Sequence, residues 1–257
     1  MKKFIKNFLK KNKILVAMYK KFIWMKEIPL KDYINITKLR LILNVKPQYT
    51  MVSYAGLSNI YELAMLAEKN KLEGCFVECG TWRGGCAAIM AWAAHRFRSK
   101  RKVWFFDSFS GLPEPTEEDG EMARKIFGDE RMQGKLITTG ACVASRNDII
   151  HLLSSLKLYA DNIIIKEGWF QEILPKFKDE IGPIAILRLD GDWYASTKCC
   201  LDNLYQNVVL GGYIVIDDYG YWKGCKRAID EFLMEKKMST SLLKQIDLGC
   251  YYFQKPH

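Results

Sequence analysis

Two apolar runs in the second half of the chain each stop at acidic residues. The first run, residues 184–189, ends at Asp190. The second, residues 211–216, ends at Asp217 and Asp218. Such runs are typical of buried parallel strands, whose carboxyl ends open onto the ligand crevice of an α/β sheet. Carboxylates gathered there repel one another and favour a divalent cation such as Mg²⁺, which prefers hard oxygen ligands. The pattern predicts Asp190, Asp217 and Asp218 as metal ligands.

An acidic and glycine-rich segment lies upstream of these strand ends. Residues 75–79 form a short apolar strand that contains Glu78, and a glycine-rich turn follows at residues 80–85. The next predicted strand, residues 102–107, ends at Asp107. In nucleotide-binding α/β folds the turn lets the backbone approach the ligand, and the acid that ends the next strand accepts hydrogen bonds from ribose hydroxyls. The spacing differs from the GxGxxG of dinucleotide sites, and a carboxylate at the turn favours a ligand with a cationic amine, such as S-adenosylmethionine.

Five motifs occur in the order found in one known family. They are VECGTWRGG at residues 77–85, DSFSGLP at 107–113, EGWF followed by LP at 167–175, LRLDGD followed by ST at 187–197, and GGYIVIDDYG at 211–220. Together they resemble the macrocin O-methyltransferases, which are metal-dependent and S-adenosylmethionine-dependent sugar O-methyltransferases. The resemblance spans roughly residues 50 to 255.

The resemblance implies a cofactor site around the first motifs. By motif position, its residues would be Glu78, Cys79, Gly80, Thr81, Trp82, Asp107, Ser108 and Ser145. Ser145 also opens a predicted helix, and an N-cap role is slightly favoured for it over a contact with adenine. Trp82 and Trp169 are equally open to lining the pocket or packing in the core. For Asp192, which lies two residues beyond Asp190, a turn or cap role is favoured over metal ligation.

The implied reaction is methyl transfer to a sugar hydroxyl. A bound Mg²⁺ can chelate two vicinal hydroxyls, orient one and lower its pKa, while Asp190 accepts the proton as the catalytic residue. The acceptor would be a glycan, a nucleotide sugar or a glycosylated natural product. Trp193-Tyr194-Ala195 replace the Leu-Tyr-Glu usual in the family, which indicates a differently shaped acceptor pocket, so macrolide antibiotic sugars are not implied. Together with the lysine-rich residues 1–26, this favours a sugar on a lipid-linked or surface polysaccharide.

Two other classes of protein remain as alternatives. A catechol-like small molecule also chelates a metal through adjacent oxygens, so a metal-dependent O-methyltransferase of catechols would use the same carboxylates. A non-enzymatic, membrane-associated scaffold would keep the fold but would need neither acid cluster. The presence of both clusters argues against the scaffold.

The excess positive charge lies in the first 26 residues. The 257-residue chain has 39 Lys and Arg against 29 Asp and Glu, a net charge of +10. Nine lysines and no acid lie in residues 1–26, which leaves 30 basic against 29 acidic residues in the remainder. Apolar residues recur there at roughly helical spacing, which predicts a basic amphipathic helix. It either lies on an anionic membrane surface or packs on the body or a partner subunit.

This charge distribution restricts partners and location. The basic residues do not continue onto the body, so no nucleic-acid partner is expected. The apolar stretch at residues 14–19 is too short to span a bilayer.

Eight cysteines show no CxxC pair, which favours reduced core thiols and a cytoplasmic protein. Peripheral association with the inner face of the membrane is the alternative, and a homo-oligomer remains open.

Strands and helices alternate along the body. Predicted strands at 75–79, 102–107, 162–166, 184–190 and 212–217, together with a final strand or hairpin around 243–254, are separated by helical segments. This alternation predicts a doubly wound α/β fold, and the resemblance implies a mostly parallel, seven-stranded, Rossmann-like methyltransferase sheet with an N-terminal helical extension. Residues 110–140 are predicted as a long polar loop acting as a lid. The division is an extension and connector at residues 1–50 and a methyltransferase domain at residues 51–257.

Overall fold

A computed structural model of the protein describes residues 28–256. The helices in this part are α1 (Ile36–Val45), α2 (Tyr54–Lys69), α3 (Gly85–Arg96), α4 (Gly120–Phe127), α5 (Arg146–Ser155), α6 (Phe170–Ile181), α7 (Tyr194–Leu204) and α8 (Lys223–Glu235). The strands are β1 (Cys75–Cys79), β2 (Val103–Asp107), β3 (Ile163–Glu167), β4 (Ile184–Leu189), β5 (Val208–Ile216), β6 (Lys244–Gln245) and β7 (Tyr251–Gln254). Short 3₁₀ helices lie at Leu30–Ile34, Glu117–Asp119, Asp129–Arg131, Tyr205–Asn207 and Thr240–Leu242.

The strands form one seven-stranded sheet in the order β3-β2-β1-β4-β5-β7-β6. Strands β1 to β5 pair in parallel, and β7 is antiparallel to both β5 and β6. The predicted doubly wound, mostly parallel sheet and the C-terminal hairpin are therefore confirmed. The chain runs outward from β1 to β3 and then returns to place β4 on the other side of β1. This reversal opens a crevice at the carboxyl ends of β1 and β4, where open α/β sheets bind ligands.

Helices cover both faces of the sheet because its strands are apolar on both sides. On one face Phe76 and Phe105 pack with residues of α1, α2, α3 and α5. On the other face Val77 and Trp104 pack with residues of α6, α7 and α8. Neighbouring residues of a strand point to opposite faces, so each buried strand supplies both cores. The rigid sheet between them holds the strand ends in fixed relative positions.

The packed core begins before the predicted domain boundary. Ile42 and Val45 of α1 are fully buried in the same core as α2 and α3. The boundary placed between residues 50 and 51 therefore does not separate α1 from the body. The predicted basic helix at residues 1–26 lies outside the described residues.

The segment predicted as a lid loop contains a helix. Within residues 110–140 the chain forms α4 and two of the short 3₁₀ helices. Trp193 Nε1 donates to the Pro113 carbonyl at 2.9 Å, and Tyr194 N donates to Asp119 Oδ1 at 2.7 Å, which ties the segment to the start of α7. The apolar residues of α4 do recur at helical spacing, but the helix has only eight residues and lies among Gly, Pro and charged residues that favour a loop prediction.

Most cysteines are core thiols, as predicted. All eight cysteines are free thiols and six are buried, whereas Cys142 is exposed and Cys199 is half-buried. His95 and His151 are exposed on helices, away from the strand ends. Across residues 28–256, none of the helices has the length and apolar character that crossing a bilayer requires.

Candidate active site

One crevice of about 380 Å³ opens at the carboxyl ends of β1, β2, β4 and β5. Glu78 and Asp107 line it on one side of the switch point, and Asp190, Asp217 and Asp218 line it on the other. Its volume falls within the usual range for small-molecule sites. The two acidic groups identified in the sequence thus face a single cavity.

The turn after β1 requires glycine because of a close backbone approach. Gly80 has φ +88°, and a Cβ built on it would lie 1.7 Å from the Asp190 carbonyl oxygen. Asp190 N also donates to the Cys79 carbonyl at 2.9 Å. The turn therefore lies directly against the end of β4, which brings the predicted cofactor side next to the acid cluster.

Glu78 lies beneath the first turn of α3. Its Oε2 accepts from Ala87 N at 2.7 Å and its Oε1 accepts from Arg188 Nη1 at 2.6 Å. Burial raises the pKa of this carboxyl to about 7, against the opposing effects of Arg188 and the α3 amide. A buried acid at this position provides a carboxylate for a cationic ligand group.

Asp107 organises the two loops that flank the predicted ribose position. Its Oδ2 accepts from Trp82 N and its Oδ1 from Phe109 N, both at 2.7 Å. Burial raises its pKa to about 6 in spite of these bonds. Each carboxylate oxygen retains a second lone pair that can accept from a hydroxyl. Beside it, Ser108 Oγ donates to the Gly111 carbonyl at 2.9 Å, so the serine that lines the crevice also shapes the loop.

Other lining residues of the turn fit a polar ligand. Thr81 Oγ1 is buried in the crevice wall and has no hydrogen-bond partner within the described protein. Buried hydroxyls are nearly always paired, so this orphaned group is available to a bound cofactor. Trp82 and Trp169 both line the crevice, which answers the question left open for these rings.

Two of the predicted cofactor residues lie outside the crevice lining. Cys79 is fully buried in the core between the sheet and α6 to α8. Ser145 is exposed and forms a capping box with Asp148 at the start of α5, the role favoured from the sequence. In this structure these side chains serve packing and capping, and their contact with cofactor stays a prediction.

Three carboxylates form an acid cluster, which consists of Asp190, Asp192 and Asp218. One oxygen of each lies within 4.8 Å of the others, as shared ligation of one ion requires. Burial and the neighbouring acids raise the pKa of Asp192 to about 8 and that of Asp218 well above its usual range. Within residues 28–256, no Lys or Arg forms an ion pair with Asp192 or Asp218. Arg188 pairs with Asp190 alone of the three, so two carboxylates of the cluster have no protein cation and the cluster fits a bound one.

Asp217 is predicted from the sequence as a metal ligand, and in the structure its partner is Arg188. Its Oδ1 accepts from Arg188 Nη2 at 2.5 Å. Burial and Asp190 raise its pKa to about 7, which Arg188 opposes. Asp192 does occupy a turn, with φ +57°, and Trp222 Nε1 donates to its Oδ1 at 2.9 Å. The structure thus gathers Asp192 with Asp190 and Asp218, while metal ligation by Asp217 remains a prediction.

The crevice also includes residues that sequence reasoning does not identify. The connector between α1 and α2 supplies Lys46, Tyr49, Thr50 and Val52 to its wall. Its mixed composition has no motif that marks these positions. Arg188 does have a signal, because it is the single charge in an otherwise apolar strand, and such a charge must be paired to be buried.

The sheet order, the glycine turn after β1 and the acid that ends β2 define a class, the Rossmann-like methyltransferases. Within that class, residues 38–255 match the macrocin O-methyltransferase (TylF) family. The match covers most of the chain, so the protein belongs to this family, as its motifs predict. It is therefore an O-methyltransferase, and the family supports S-adenosylmethionine as its methyl donor.

Individual relatives agree with this assignment. The chain is 32% identical over 209 residues to demethyldecarbamoylnovobiocin O-methyltransferase of Streptomyces niveus, which covers 80% of this chain and 76% of the relative. It is 27% identical over 205 residues to mycinamicin III 3''-O-methyltransferase of Micromonospora griseorubida, covering 79% and 78%. The solved structure of the O-methyltransferase NovP superposes with a TM-score of 0.68 at 31% identity, covering 81% of this chain and 83% of NovP. The calicheamicin methyltransferase CalS11, at 18% identity, 88% and 86% coverage and a TM-score of 0.61, shares the fold.

Proposed function

We propose that this enzyme methylates a sugar hydroxyl and that a divalent cation such as Mg²⁺ binds at the acid cluster. The supporting observation is that Glu78 and Asp107 share one crevice with Asp190 and Asp218. The relatives' names support a sugar acceptor, since one specifies the 3'' position of mycinamicin III and another the 4' position of a rhamnosyl tetracenomycin. The acceptor favoured for this chain is a sugar of a lipid-linked or surface polysaccharide.

The chemistry of the acid cluster suits a hard divalent cation. All of its side-chain ligands would be carboxylate oxygens, which Mg²⁺ prefers to nitrogen or sulfur. Asp190 and Asp218 belong both to the set predicted from sequence and to the set gathered in the structure. We therefore assign them as metal ligands, with Asp192 and Asp217 as the two candidates for a third protein ligand.

In this mechanism one side of the crevice would bind the cofactor and the other would bind the cation and the acceptor. Glu78 would bind the amino group of S-adenosylmethionine and Asp107 its ribose, while Thr81 Oγ1 would hydrogen-bond a polar group of the cofactor. The sulfonium of the cofactor supplies the methyl group. When bound, the cation would act as a Lewis acid and as a template for two adjacent hydroxyls. Asp190 would accept the proton from the reacting hydroxyl, since only one of its oxygens is bonded to Arg188.

Acceptor screening tests this proposal. The enzyme is incubated with Mg²⁺, isotopically labelled S-adenosylmethionine and panels of glycans, nucleotide sugars, glycosides and catechols. We expect mass spectrometry to show one labelled methyl group on a sugar ring, because the names of two relatives specify sugar positions as the sites of methylation. The Asp190→Asn variant serves as the control and should give almost no product. Label that enters only the catechols would contradict the sugar assignment and favour the phenolic alternative.

The N-terminal segment is the basis for a second part of the proposal, peripheral membrane association. Deleting residues 1–26 removes nine lysines and keeps every crevice residue named above, all of which lie at position 46 or beyond. We expect the shortened protein to bind cofactor normally and to lose affinity for anionic vesicles, because each lysine near such a surface contributes about 1 kcal/mol at most. Vesicle co-sedimentation measures this, with neutral vesicles as the control. Undiminished binding to anionic vesicles would refute the membrane role and favour packing on the protein.

A further inference from the structure

Arg188 is a buried charge in the middle of the sheet. It lies in β4, whose six residues are all buried, and only 2% of its side chain is exposed. An arginine in this position gives up its hydration, so the contacts that replace water indicate what it does. The carboxylates that Arg188 contacts all line the crevice, and Arg188 lines it too.

The guanidinium binds three carboxylates from three neighbouring strands. Nη1 lies 2.6 Å from Glu78 Oε1, at the end of β1, and 2.8 Å from Asp190 Oδ2, after β4. Nη2 lies 2.5 Å from Asp217 Oδ1, after β5. The planar fork of arginine fixes both the distance and the orientation of the groups that it binds, whereas a lysine ammonium acts as a point charge. Arg188 therefore sets the relative positions of these carboxylates.

These contacts join the two halves of the reaction site. Glu78 belongs to the cofactor side, and Asp190 and Asp217 belong to the acceptor side. Replacing a buried ion network with apolar residues is often neutral or stabilising, so the fold alone does not require this arginine. Methyl transfer does require the donor and the acceptor to be held at a fixed distance and angle.

We propose that Arg188 is a positioning residue, which holds Glu78 at the cofactor turn in register with Asp190 and Asp217 at the acceptor side. The inference rests on the proposed function for the meaning of the two sides. Its direct consequence concerns cofactor binding. Without Arg188, Glu78 loses the cation that fixes its Oε1, so the part of the cofactor that carries the amine should lose its partner.

Two probes separate that effect from general damage. S-adenosylhomocysteine retains the amino-acid end, and 5'-methylthioadenosine lacks it. We expect Arg188→Gln to weaken S-adenosylhomocysteine at least tenfold and methylthioadenosine less than twofold in calorimetry. Arg188→Lys should give an intermediate loss, because it keeps the charge but not the fork. Glu78→Gln should show the same selectivity, and the double variant should lose no more than either single one.

Arg101→Gln is the matched control. Arg101 is also ion-paired, 2.7 Å from Glu68 Oε1, with 8% of its side chain exposed, but it precedes β2 at the opposite end of the sheet from the crevice. We expect it to lower the melting temperature without changing the ratio of the two affinities. A purely structural role for Arg188 would give the same pattern as Arg101.

Asp217→Asn tests whether a change on the acceptor side alters cofactor binding through Arg188. We expect this change to alter S-adenosylhomocysteine affinity at least twofold in the wild-type background and not at all in Arg188→Gln. Equal loss of both probes in Arg188→Gln, or unchanged affinities, would overturn the proposal. Equal effects of Asp217→Asn in both backgrounds would also overturn it. Wild-type protein that binds neither probe would instead count against the proposed function.

Discussion

Asp190→Asn should reduce turnover by about 10²–10⁴-fold, the usual contribution of general-base assistance. Asn retains the shape and one oxygen ligand but cannot accept the proton. The loss should fall on the chemical step, so the affinity for S-adenosylhomocysteine should change only a few-fold. Asp202→Asn is the matched control, since Asp202 lies on α7, pairs with Lys198 and is about half exposed. Steady-state kinetics and calorimetry on both variants measure the difference.

The same prediction extends to the cation. Chelator treatment should abolish turnover, and Mg²⁺ should restore the wild-type enzyme fully. Asp217→Asn and Asp218→Asn should be partly restored by excess Mg²⁺, because each loses a charge near the metal and not the proton acceptor, whereas Asp190→Asn should not be restored. Full activity after chelation, or in Asp190→Asn, would exclude the metal mechanism and leave the family assignment intact.

Metal titrations of two further variants identify the remaining ligand. Asp192→Asn should raise the Mg²⁺ concentration needed for half-maximal activity if Asp192 completes the acid cluster. Asp217→Asn should do so if the set predicted from the sequence is correct. Asp217 is bonded to Arg188 and Asp192 to Trp222 Nε1, so the two variants report on different parts of the site.

Gly80→Ala should be the most damaging single-methyl change in the cofactor turn. Its positive φ would cost alanine about 1–2 kcal/mol. The new Cβ would also lie 1.7 Å from the Asp190 carbonyl oxygen, so backbone must move, at about 1–3 kcal/mol more. We expect a fall in melting temperature of roughly 10 °C, since a domain of this size shifts about 2–4 °C per kcal/mol. Cofactor binding should be lost as well, because the turn and β4 separate.

Gly140→Ala separates conformational strain from the steric clash. Gly140 has a similar φ of +83°, but a Cβ there would meet nothing within 4 Å. Its substitution should cost only the conformational part, about 1–2 kcal/mol, and should leave cofactor affinity unchanged. Differential scanning fluorimetry and calorimetry compare the two variants. Equal losses in both would show that the approach of Gly80 to Asp190 is unimportant.

The sheet and the types of residue at its edge can be predicted from local sequence patterns. Parallel strands are buried on both faces and therefore appear as short apolar runs, so β1, β2 and β4 could be predicted to within one residue at each end. Asp107, Asp190 and Asp217 could be placed at the crevice because each directly follows an apolar run. The family, too, was evident from five ordered motifs, and residues 38–255 confirm it.

Which of these groups contact one another depends on how the strands are arranged in the folded sheet. Asp192 joins Asp190 and Asp218 because the chain turns back after β4, and spacing alone does not give that direction. Arg188 could be recognised as an unusual charge in a strand, but its partners could not. Asp190 lies two residues after it, whereas Asp217 is 29 positions away and Glu78 is 110 positions away. Side-chain contacts across strands depend on strand order and register. A pattern along one chain segment does not contain that information, whereas the packed sheet fixes it.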